Sequence, residues 1–169
     1  MNLFNAKNIE IIRKYLVGQR ETIAVAESAT SGFLQIALGS ALKAKEFYQG
    51  GITVYNIGQK YRHLLVNPIK AEACDCVSEE VADEMALNVC HLFKSEWGLS
   101  STGYVSPVPE SDNKLFLFWS VAHKGKIVLR KKIEARDDQP LNVQLFYSKD
   151  LLDNFSSYLQ AKNSRNNNI

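Results

Sequence analysis

A serine at the turn between a predicted strand and a predicted helix is the residue of this sequence best placed to act as a nucleophile. Residues 22–26 form a short apolar run with β-branched side chains, which predicts a strand covered on both faces of an α/β sheet. Apolar residues recur at helical spacing over residues 33–38, so a helix is predicted to begin near Thr30. Ser28 would then lie in the connection, at the edge of the sheet where open α/β folds bind ligands.

The start of that helix could also take part in chemistry at Ser28. Free backbone N–H groups at a helix N-terminus can bind an anion or stabilise an oxyanion that develops during a reaction. Ser28, Thr30 and Ser31 have a simpler interpretation as well, because serine and threonine are common N-cap residues. The spacing alone leaves both interpretations open.

Three further polar residues are predicted at the ends of strands or the starts of helices. Tyr55 ends a second predicted strand, and Lys60 lies on the first turns of the helix predicted over residues 57–65. Thr102 lies near the end of a third short strand. All three could therefore share a pocket with Ser28.

A serine and a lysine together can perform nucleophilic catalysis. The serine needs a base that takes its proton, and Ser-Lys pairs are a known alternative to Ser-His. The lysine must be neutral for this, and burial lowers a lysine pKa because desolvation penalises the charged form. The alternatives are that Lys60 is a solvated surface lysine and that Tyr55 is a half-buried strand aromatic.

The elements that would position these residues follow from the hydrophobic pattern and the turn residues. Gly18 is expected to cap the first helix, Gly50-Gly51 to stop the third, and Asn56 and Ser78 to cap later helices. In chain order we predict helices over residues 9–17, 30–38, 41–48, 57–65, 79–96 and 141–159 and strands over residues 22–26, 52–55, 99–103, 115–122 and 127–133. Parallel strands with crossover helices and an antiparallel hairpin predict an α/β fold with a mixed sheet covered on both faces.

Length and charge limit the classes of protein that this chain can belong to. A chain of 169 residues fits one domain, predicted over residues 1–161, with a polar and disordered tail over residues 162–169. The formal charge of +2, from 20 basic and 18 acidic residues, gives no support to a nucleic-acid or membrane-surface partner.

Cysteine content and hydropathy indicate a soluble cytoplasmic protein without a metal site. Cys74, Cys76 and Cys90 are an odd number, and the Cys-Asp-Cys spacing is not typical of zinc ligands, so reduced thiols are expected. No signal-peptide core and no membrane-spanning apolar run is found in the sequence.

Several motifs in the same order resemble the CinA C-terminal domain family, the nicotinamide-mononucleotide amidases. The segment AVAESATSG over residues 24–32 is similar to the family's AESCTGG, and the resemblance continues through YQGGITVYN over residues 48–56, followed by Lys60. It extends to VSEEVA over residues 77–82 and STG over residues 101–103, so it covers nearly the whole chain.

The resemblance implies a fold, a reaction and a set of roles. It implies a three-layer α/β/α sandwich with a mixed, mostly parallel sheet, a homodimer, and hydrolysis of the carboxamide of nicotinamide mononucleotide to nicotinic acid mononucleotide and ammonia, without a cofactor. Ser28 would be the nucleophile, Lys60 its base and Tyr55 a supporting proton or hydrogen-bond partner. The substrate-binding residues that it implies are Thr30, Ser31, Gly32, Thr102, Gly103 and Arg136.

The sequence also departs from the family pattern within the expected site. Ala29 replaces a cysteine, Ser31 replaces a glycine, residues 104–107 differ from the family loop, and only Arg136 matches an arginine pair of the family. A lost guanidinium removes a rigid set of phosphate donors. The alternative function is therefore a catalytically impaired domain that binds a nucleotide or has a regulatory role.

Overall fold

The computed structural model describes residues 3–136 and 138–166, which fold around one five-stranded mixed sheet. In chain order the elements are α1 (Ala6–Gln19), β1 (Ile23–Glu27), α2 (Phe33–Gly39), β2 (Tyr48–Thr53), α3 (Ile57–Leu64), α4 (Pro68–Ala73), α5 (Glu79–Phe93), β3 (Trp97–Gly103), β4 (Phe116–His123), β5 (Lys126–Glu134) and α6 (Pro140–Asn166). Short 3₁₀ turns occur at Ala44–Glu46 and Pro109–Ser111.

The strand order β2-β1-β3-β4-β5 places the strand before Ser28 in the middle of a parallel group. β1 pairs in parallel with β2 and β3, whereas β4 is antiparallel to both β3 and β5. Four strands thus run in one direction, and the carboxyl ends of β1, β2 and β3 meet at one edge of the sheet.

The helices pack in two outer layers, one on each face of the sheet, and the side chains of β1 point alternately towards one layer and the other. Ile23 and Val25 face a core built with α1, α2 and α6, and Ala24 and Ala26 face a second core built with α3, α4 and α5. Alternate residues of a strand point to opposite faces, so each helix layer covers one face. The predicted three-layer α/β/α sandwich is confirmed.

The predicted N-caps of α3 and α5 are confirmed, but the starts and ends of three other helices differ from the prediction. Asn56 Oδ1 accepts from the Gln59 N–H, and Ser78 Oγ accepts from the Val81 N–H. The helix expected to begin near Thr30 begins at Phe33. Its start is displaced because the carboxylate of Glu27 binds the first free N–H groups.

Glycine proved a misleading signal at two positions. Gly18 lies inside α1, which is capped by Arg20 in the left-handed region. Gly50 and Gly51 do not stop a helix over residues 41–48; they belong to β2. A Cβ at Gly51 would lie 2.4 Å from Cγ2 of Val25, so the missing side chain permits close packing beside β1.

Two further boundaries differ in a similar way. Trp97 was predicted to end α5, but α5 ends at Phe93 and Trp97 begins β3. The short helix α4 was not predicted; Asn67 caps it and accepts from the N–H of Ile69 and Lys70. A proline at the first helical position favours such a start.

The predicted disordered tail is helical as far as the structure describes it. α6 extends to Asn166, so residues 162–166 continue the helix, and the predicted residues 167–169 lie outside the described part. Contacts of Lys162 help to hold this end of α6 against the sheet, because its ammonium lies 5.1 Å from the ring centroid of Trp97 and 3.3 Å from Nδ1 of His123. Among residues 3–136 and 138–166, no helix is both long and apolar enough to cross a membrane.

A buried polar cluster lies at the amino ends of β1 and β3. Glu21 accepts from Nε1 of Trp97 at 2.6 Å and lies 3.0 Å from Nε2 of His123, and the ring of His123 stacks on that of Trp97 at 3.8 Å. Lys124 also pairs with Glu21, at 2.5 Å. Burial, as the largest cause, and the ammonium groups of Lys162 and Lys124 lower the pKa of His123, although Glu21 acts against them.

Candidate active site

The carboxyl ends of the three parallel strands surround a cleft of about 490 Å³, which we call the Ser28 cleft. The volume lies in the range of small-molecule sites. Five of the predicted site residues line it together: Ser28, Tyr55, Lys60, Thr102 and Gly103. They come from the ends of β1 and β3, the segment after β2, and α3.

Ser28 and Lys60 are in direct contact at the base of the Ser28 cleft. Nζ of Lys60 lies 3.1 Å from Oγ of Ser28 and donates to the carbonyl of Val54 at 3.0 Å. Asn56 starts α3 immediately after Tyr55, which brings Lys60 back towards the end of β1 within one turn. Lys60 is only 1% exposed and Ser28 is 7% exposed, so the interpretation of Lys60 as a solvated surface lysine is wrong.

The environment of Lys60 favours its neutral form. Burial lowers the pKa of the Lys60 ammonium, and the nearby Cys76 and Asp75 oppose this shift. No ion pair between Lys60 and a carboxylate occurs within the described residues. A lysine with a lowered pKa next to a serine hydroxyl is suited to accept the serine proton.

The backbone around Ser28 is held in place by the neighbouring strand and by its own turn. The N–H of Ser28 donates to the carbonyl of Ser101 at 3.0 Å, and the N–H of Ser31 donates to the carbonyl of Ser28 at 3.2 Å. Ser31 has φ 48° and Gly32 has φ 103°, so two left-handed residues complete the turn into α2. The nucleophile candidate therefore sits on a tight, hydrogen-bonded turn.

Glu27 is a site-supporting residue that the sequence analysis did not identify. Its carboxylate is fully buried and accepts from the N–H groups of Gly32, Leu34 and Gln35 at 2.9 to 3.1 Å, and from the hydroxyl of Thr30 at 2.6 Å. A charged residue at the end of an otherwise buried apolar run, directly before a helix, is the signal that could have revealed it.

Three predicted substrate-binding residues are consequently not brought into the Ser28 cleft. Thr30 is buried, with its hydroxyl also 2.7 Å from Oγ of Ser101; the N–H of Gly32 is bound to Glu27; and Ser31 is exposed. They do not line the Ser28 cleft. Within the described residues, the backbone N–H groups of Ala29 and Thr30 have no acceptor, and Ala29 lines the cleft.

The other walls carry one exposed and one anchored aromatic residue. Tyr55 is 67% exposed, which excludes the interpretation as a half-buried strand aromatic. Tyr104 donates its hydroxyl to Asp75 at 2.9 Å and packs on Phe116. Burial and the bond to Asp75 raise the pKa of Tyr104, so its hydroxyl remains a donor. Thr102 donates to the carbonyl of Cys76 at 2.7 Å, so its hydroxyl is already used.

Arg136, the remaining predicted substrate-binding residue, lies at a different place. It follows β5 and lines a second cleft together with Asp138, Asn142 and Phe146. β5 is separated from β3 by β4, so the residues after β5 begin two strands away from the Ser28 cleft. Arg136 does lie near the end of a strand, but that strand, β5, is two strands away from β3, so Arg136 is not brought to Ser28.

Acidic side chains are the charged component of the cleft that the sequence analysis did not find. Glu72, Asp75 and Glu110 line the Ser28 cleft, and Lys60 is the only lysine or arginine among its described lining residues. They come from α4, the residues after it and the Pro109–Ser111 turn.

Comparison with known proteins agrees with the geometry. The model of the family described as "CinA C-terminal domain" matches residues 5–148. A CinA-like protein of Amoebophilus asiaticus is 30% identical over 161 residues, which is 94% of this chain and 38% of that protein. A CinA-like protein of Rippkaea orientalis is 36% identical over 104 residues, 62% of this chain and 25% of that protein. The chain thus spans only about a quarter to two fifths of the length of these relatives.

Solved structures show the same fold at low sequence identity. A competence or damage-inducible protein from Enterobacter asburiae superposes with a TM-score of 0.84 at 22% identity, covering 91% of this chain and 97% of its own. A protein of the competence-damaged protein (CinA) superfamily from Klebsiella pneumoniae gives 0.85 at 18% identity, covering 95% and 99%. The extent of the family match, together with the relative that spans most of the chain, shows that this protein belongs to the CinA C-terminal domain family.

Proposed function

We propose that this chain is an amidohydrolase that acts on the carboxamide of nicotinamide mononucleotide or a compound with the same carboxamide, through a Ser-Lys mechanism. The observation that carries the proposal is the 3.1 Å contact between Nζ of the buried Lys60 and Oγ of Ser28. The family resemblance of the Ser28, Tyr55 and Lys60 segments supports the same reaction.

The first half of the reaction forms an ester on Ser28. Neutral Lys60 takes the hydroxyl proton while Oγ of Ser28 attacks the amide carbon, and the carbonyl oxygen becomes an oxyanion. The N–H group of Ala29, which lines the cleft and has no acceptor within the described residues, is the donor of this turn available to that oxyanion. Lys60 then returns the proton to the departing nitrogen, the C–N bond breaks, and ammonia leaves.

The second half restores the serine. Lys60 takes a proton from a water molecule that attacks the ester carbon, and the bond to Oγ of Ser28 breaks as Lys60 gives its proton back. The sum is one amide and one water converted into one carboxylic acid and one ammonia. Tyr55 lies at the cleft wall, where its exposed hydroxyl can contact the substrate.

The decisive experiment measures ammonia release from nicotinamide mononucleotide by wild type, Ser28→Ala and Ser106→Ala. Ser106 lines the same cleft, and the Lys60 ammonium bonds to Ser28 and Val54 rather than to Ser106, so Ser106→Ala is the matched control. We expect activity in wild type and in Ser106→Ala and background release in Ser28→Ala. Equal rates for wild type and Ser28→Ala would reject the proposal.

A nucleotide-binding or regulatory module without turnover is the second candidate. It is favoured by Tyr104 and Asp75, whose hydrogen bond joins two walls of the Ser28 cleft. Calorimetry with nicotinamide mononucleotide separates the candidates, since tight binding without any ammonia release supports the module.

The free state of Cys74, Cys76 and Cys90 fits a cytoplasmic setting for either function.

A further inference from the structure

The charge of the Ser28 cleft should favour some substituents on the carboxamide substrate over others. Glu72 and Asp75, which lie three residues apart in sequence, line it together with Glu110 and one buried lysine, Lys60. These three acidic residues are exposed, so solvent partly screens their effect on the charge of a ligand. The entrance is therefore net negative.

Two features that commonly bind a phosphate are not available here. The start of α2 is occupied by the carboxylate of Glu27, which already accepts from the N–H groups of Gly32, Leu34 and Gln35. Arg136 lines the second cleft beyond β5, and no arginine lines the Ser28 cleft within the described residues. A phosphate dianion at this entrance would meet three carboxylates and no guanidinium, with only neutral donors such as Tyr55, Asn56 and Ser106 to offset the repulsion.

The same lining favours a cation. Tyr55 and Tyr104 present aromatic rings at the cleft, and aromatic faces combined with carboxylates attract quaternary and pyridinium cations. Asp75 is fixed in position by the hydroxyl of Tyr104 at 2.9 Å. Lys60, the one basic group, is directed to Ser28 and Val54 rather than to the entrance.

We propose that the Ser28 cleft selects a cationic carboxamide that carries no phosphate, so that an N-substituted pyridinium carboxamide is preferred to its phosphorylated form. The inference rests on the amidohydrolase function proposed above, and it concerns the charge of the group attached to the carboxamide.

The test compares two ligands that differ by one phosphate, nicotinamide mononucleotide and nicotinamide riboside. We expect kcat/KM for ammonia release to be at least about tenfold higher for the riboside at low salt, because attraction at a charged cleft raises encounter and binding. The ratio should fall towards one at 0.5 M salt, about where exposed charges are screened over a few ångströms.

Charge variants assign the effect to the cleft. Glu72→Gln and Glu110→Gln alter lining residues whose side chains form no hydrogen bond with any other described residue. Glu134→Gln alters an exposed glutamate outside the cleft. The double variant Glu72→Gln/Glu110→Gln should reduce the riboside preference severalfold, mainly by improving use of the nucleotide. Glu134→Gln should keep the wild-type ratio.

Binding to Ser28→Ala, measured by calorimetry, separates failure of the charge inference from failure of the amidase proposal. Tighter binding of the riboside without turnover by wild type would keep the charge inference and reject the amidase. Ammonia release with equal or better use of the nucleotide would keep the amidase and overturn the charge inference. Binding of neither ligand overturns the charge inference as well.

Discussion

A lysine that is 1% exposed has lost most of its hydration, and this sets the behaviour expected of the contact between Lys60 and Ser28. Lys60→Met keeps the length and apolar body of the side chain but removes the base. We expect kcat/KM for amide hydrolysis to fall by about 10² to 10⁴, the usual contribution of general base catalysis. Thermal unfolding should show that the variant is folded, because an apolar side chain at a buried position costs no desolvation.

The pH dependence of kcat/KM provides a second test of Lys60 as the base. Burial lowers the pKa of Lys60, so the neutral, active form is populated at a lower pH than for an ordinary lysine. kcat/KM should rise with pH through an apparent pKa below about 10.4, the ordinary lysine value. Arg62→Lys, an exposed change on the same helix, should leave the profile unaltered. A profile without this rise would argue against Lys60 as the base.

At the scale of single elements, the start of α2 depends on one buried carboxylate. In Glu27→Gln an NH2 group replaces one carboxylate oxygen and cannot accept from the N–H of Leu34 or, in the other orientation, from that of Gln35. We expect the free energy of unfolding to fall by about 2 to 3 kcal/mol, as for a lost hydrogen bond to a charged group. Urea unfolding measures this.

Activity distinguishes a local effect of Glu27 from general destabilisation. Ser28 follows Glu27 directly, so a displaced turn should lower kcat while the protein is still folded. Glu46→Gln changes an exposed glutamate that pairs with Lys43 and should alter neither quantity by much. Wild-type stability in Glu27→Gln would show that the N–H groups find other acceptors.

Close packing between α5 and β3 gives a separate prediction. A Cβ at Gly98 would lie 2.2 Å from the carbonyl oxygen of Ala86 in α5, and backbone cannot move away cheaply. Gly98→Ala should therefore cost about 1 to 3 kcal/mol of unfolding free energy. Gly18→Ala, with open space around the position in α1, should gain about 0.5 to 1 kcal/mol. Similar effects in both variants would contradict this account.

The elements themselves were largely predictable, because they depend on local signals. The apolar run before Ser28 and the N-caps Asn56 and Ser78 act within a few residues of their position. Glu27 was missed because its partners lie in the next helix and the sequence does not show that the side chain turns back. Gly50 and Gly51 were misassigned because a glycine that permits close packing looks the same in sequence as one that stops a helix.

The site was predictable only where the parallel strands bring residues together. Ser28, Tyr55 and Lys60 follow neighbouring strands, so their meeting followed from the sheet edge. The strand order that separates Arg136 from them cannot be obtained from a hairpin pattern. The acidic lining joins Glu72 and Asp75, at the end of α4, to Glu110 in a distant turn, and neither place has a regular sequence period that would predict the meeting.

For the whole molecule, the cluster around His123 makes stability depend on pH. The folded state lowers the pKa of His123, so between that value and about 6.5 the unfolded chain binds more protons than the folded one. Stability is therefore full above about pH 6.5 and falls as the pH drops through the folded pKa, by up to about 1.4 kcal/mol per pH unit. Urea unfolding at several pH values measures the slope.

Two histidine variants make this assignment testable. His123→Gln should have a smaller slope than wild type between pH 7.5 and pH 5, because the titrating group is gone. His63→Gln replaces an exposed histidine and should keep the wild-type slope. A slope unchanged in His123→Gln would assign the pH dependence to other groups.

The homodimer expected from the family resemblance remains a prediction. The apolar residues Val81, Met85 and Val89 of α5 are buried within the chain, so they cannot form the dimer contact. Exposed apolar residues occur instead on α3 and on the residues that follow it, at Tyr61, Leu65 and Ile69. Light scattering at micromolar concentration should give twice the chain mass, and a monomer mass would contradict the prediction.

Two groups of residues that contain a titratable side chain with a shifted pKa, His123 and Lys60, lie at opposite ends of the parallel strands. Glu21, Trp97 and His123 lie at the amino ends of β1 and β3, and Ser28 and Lys60 lie at the carboxyl side. The length of the sheet thus separates the histidine that affects folding at low pH from the lysine whose titration would set the pH dependence of the proposed amide hydrolysis. Substitutions around His123 should therefore shift the acid limit of folding without changing the pH dependence of the proposed amide hydrolysis, and substitutions around Lys60 should do the reverse.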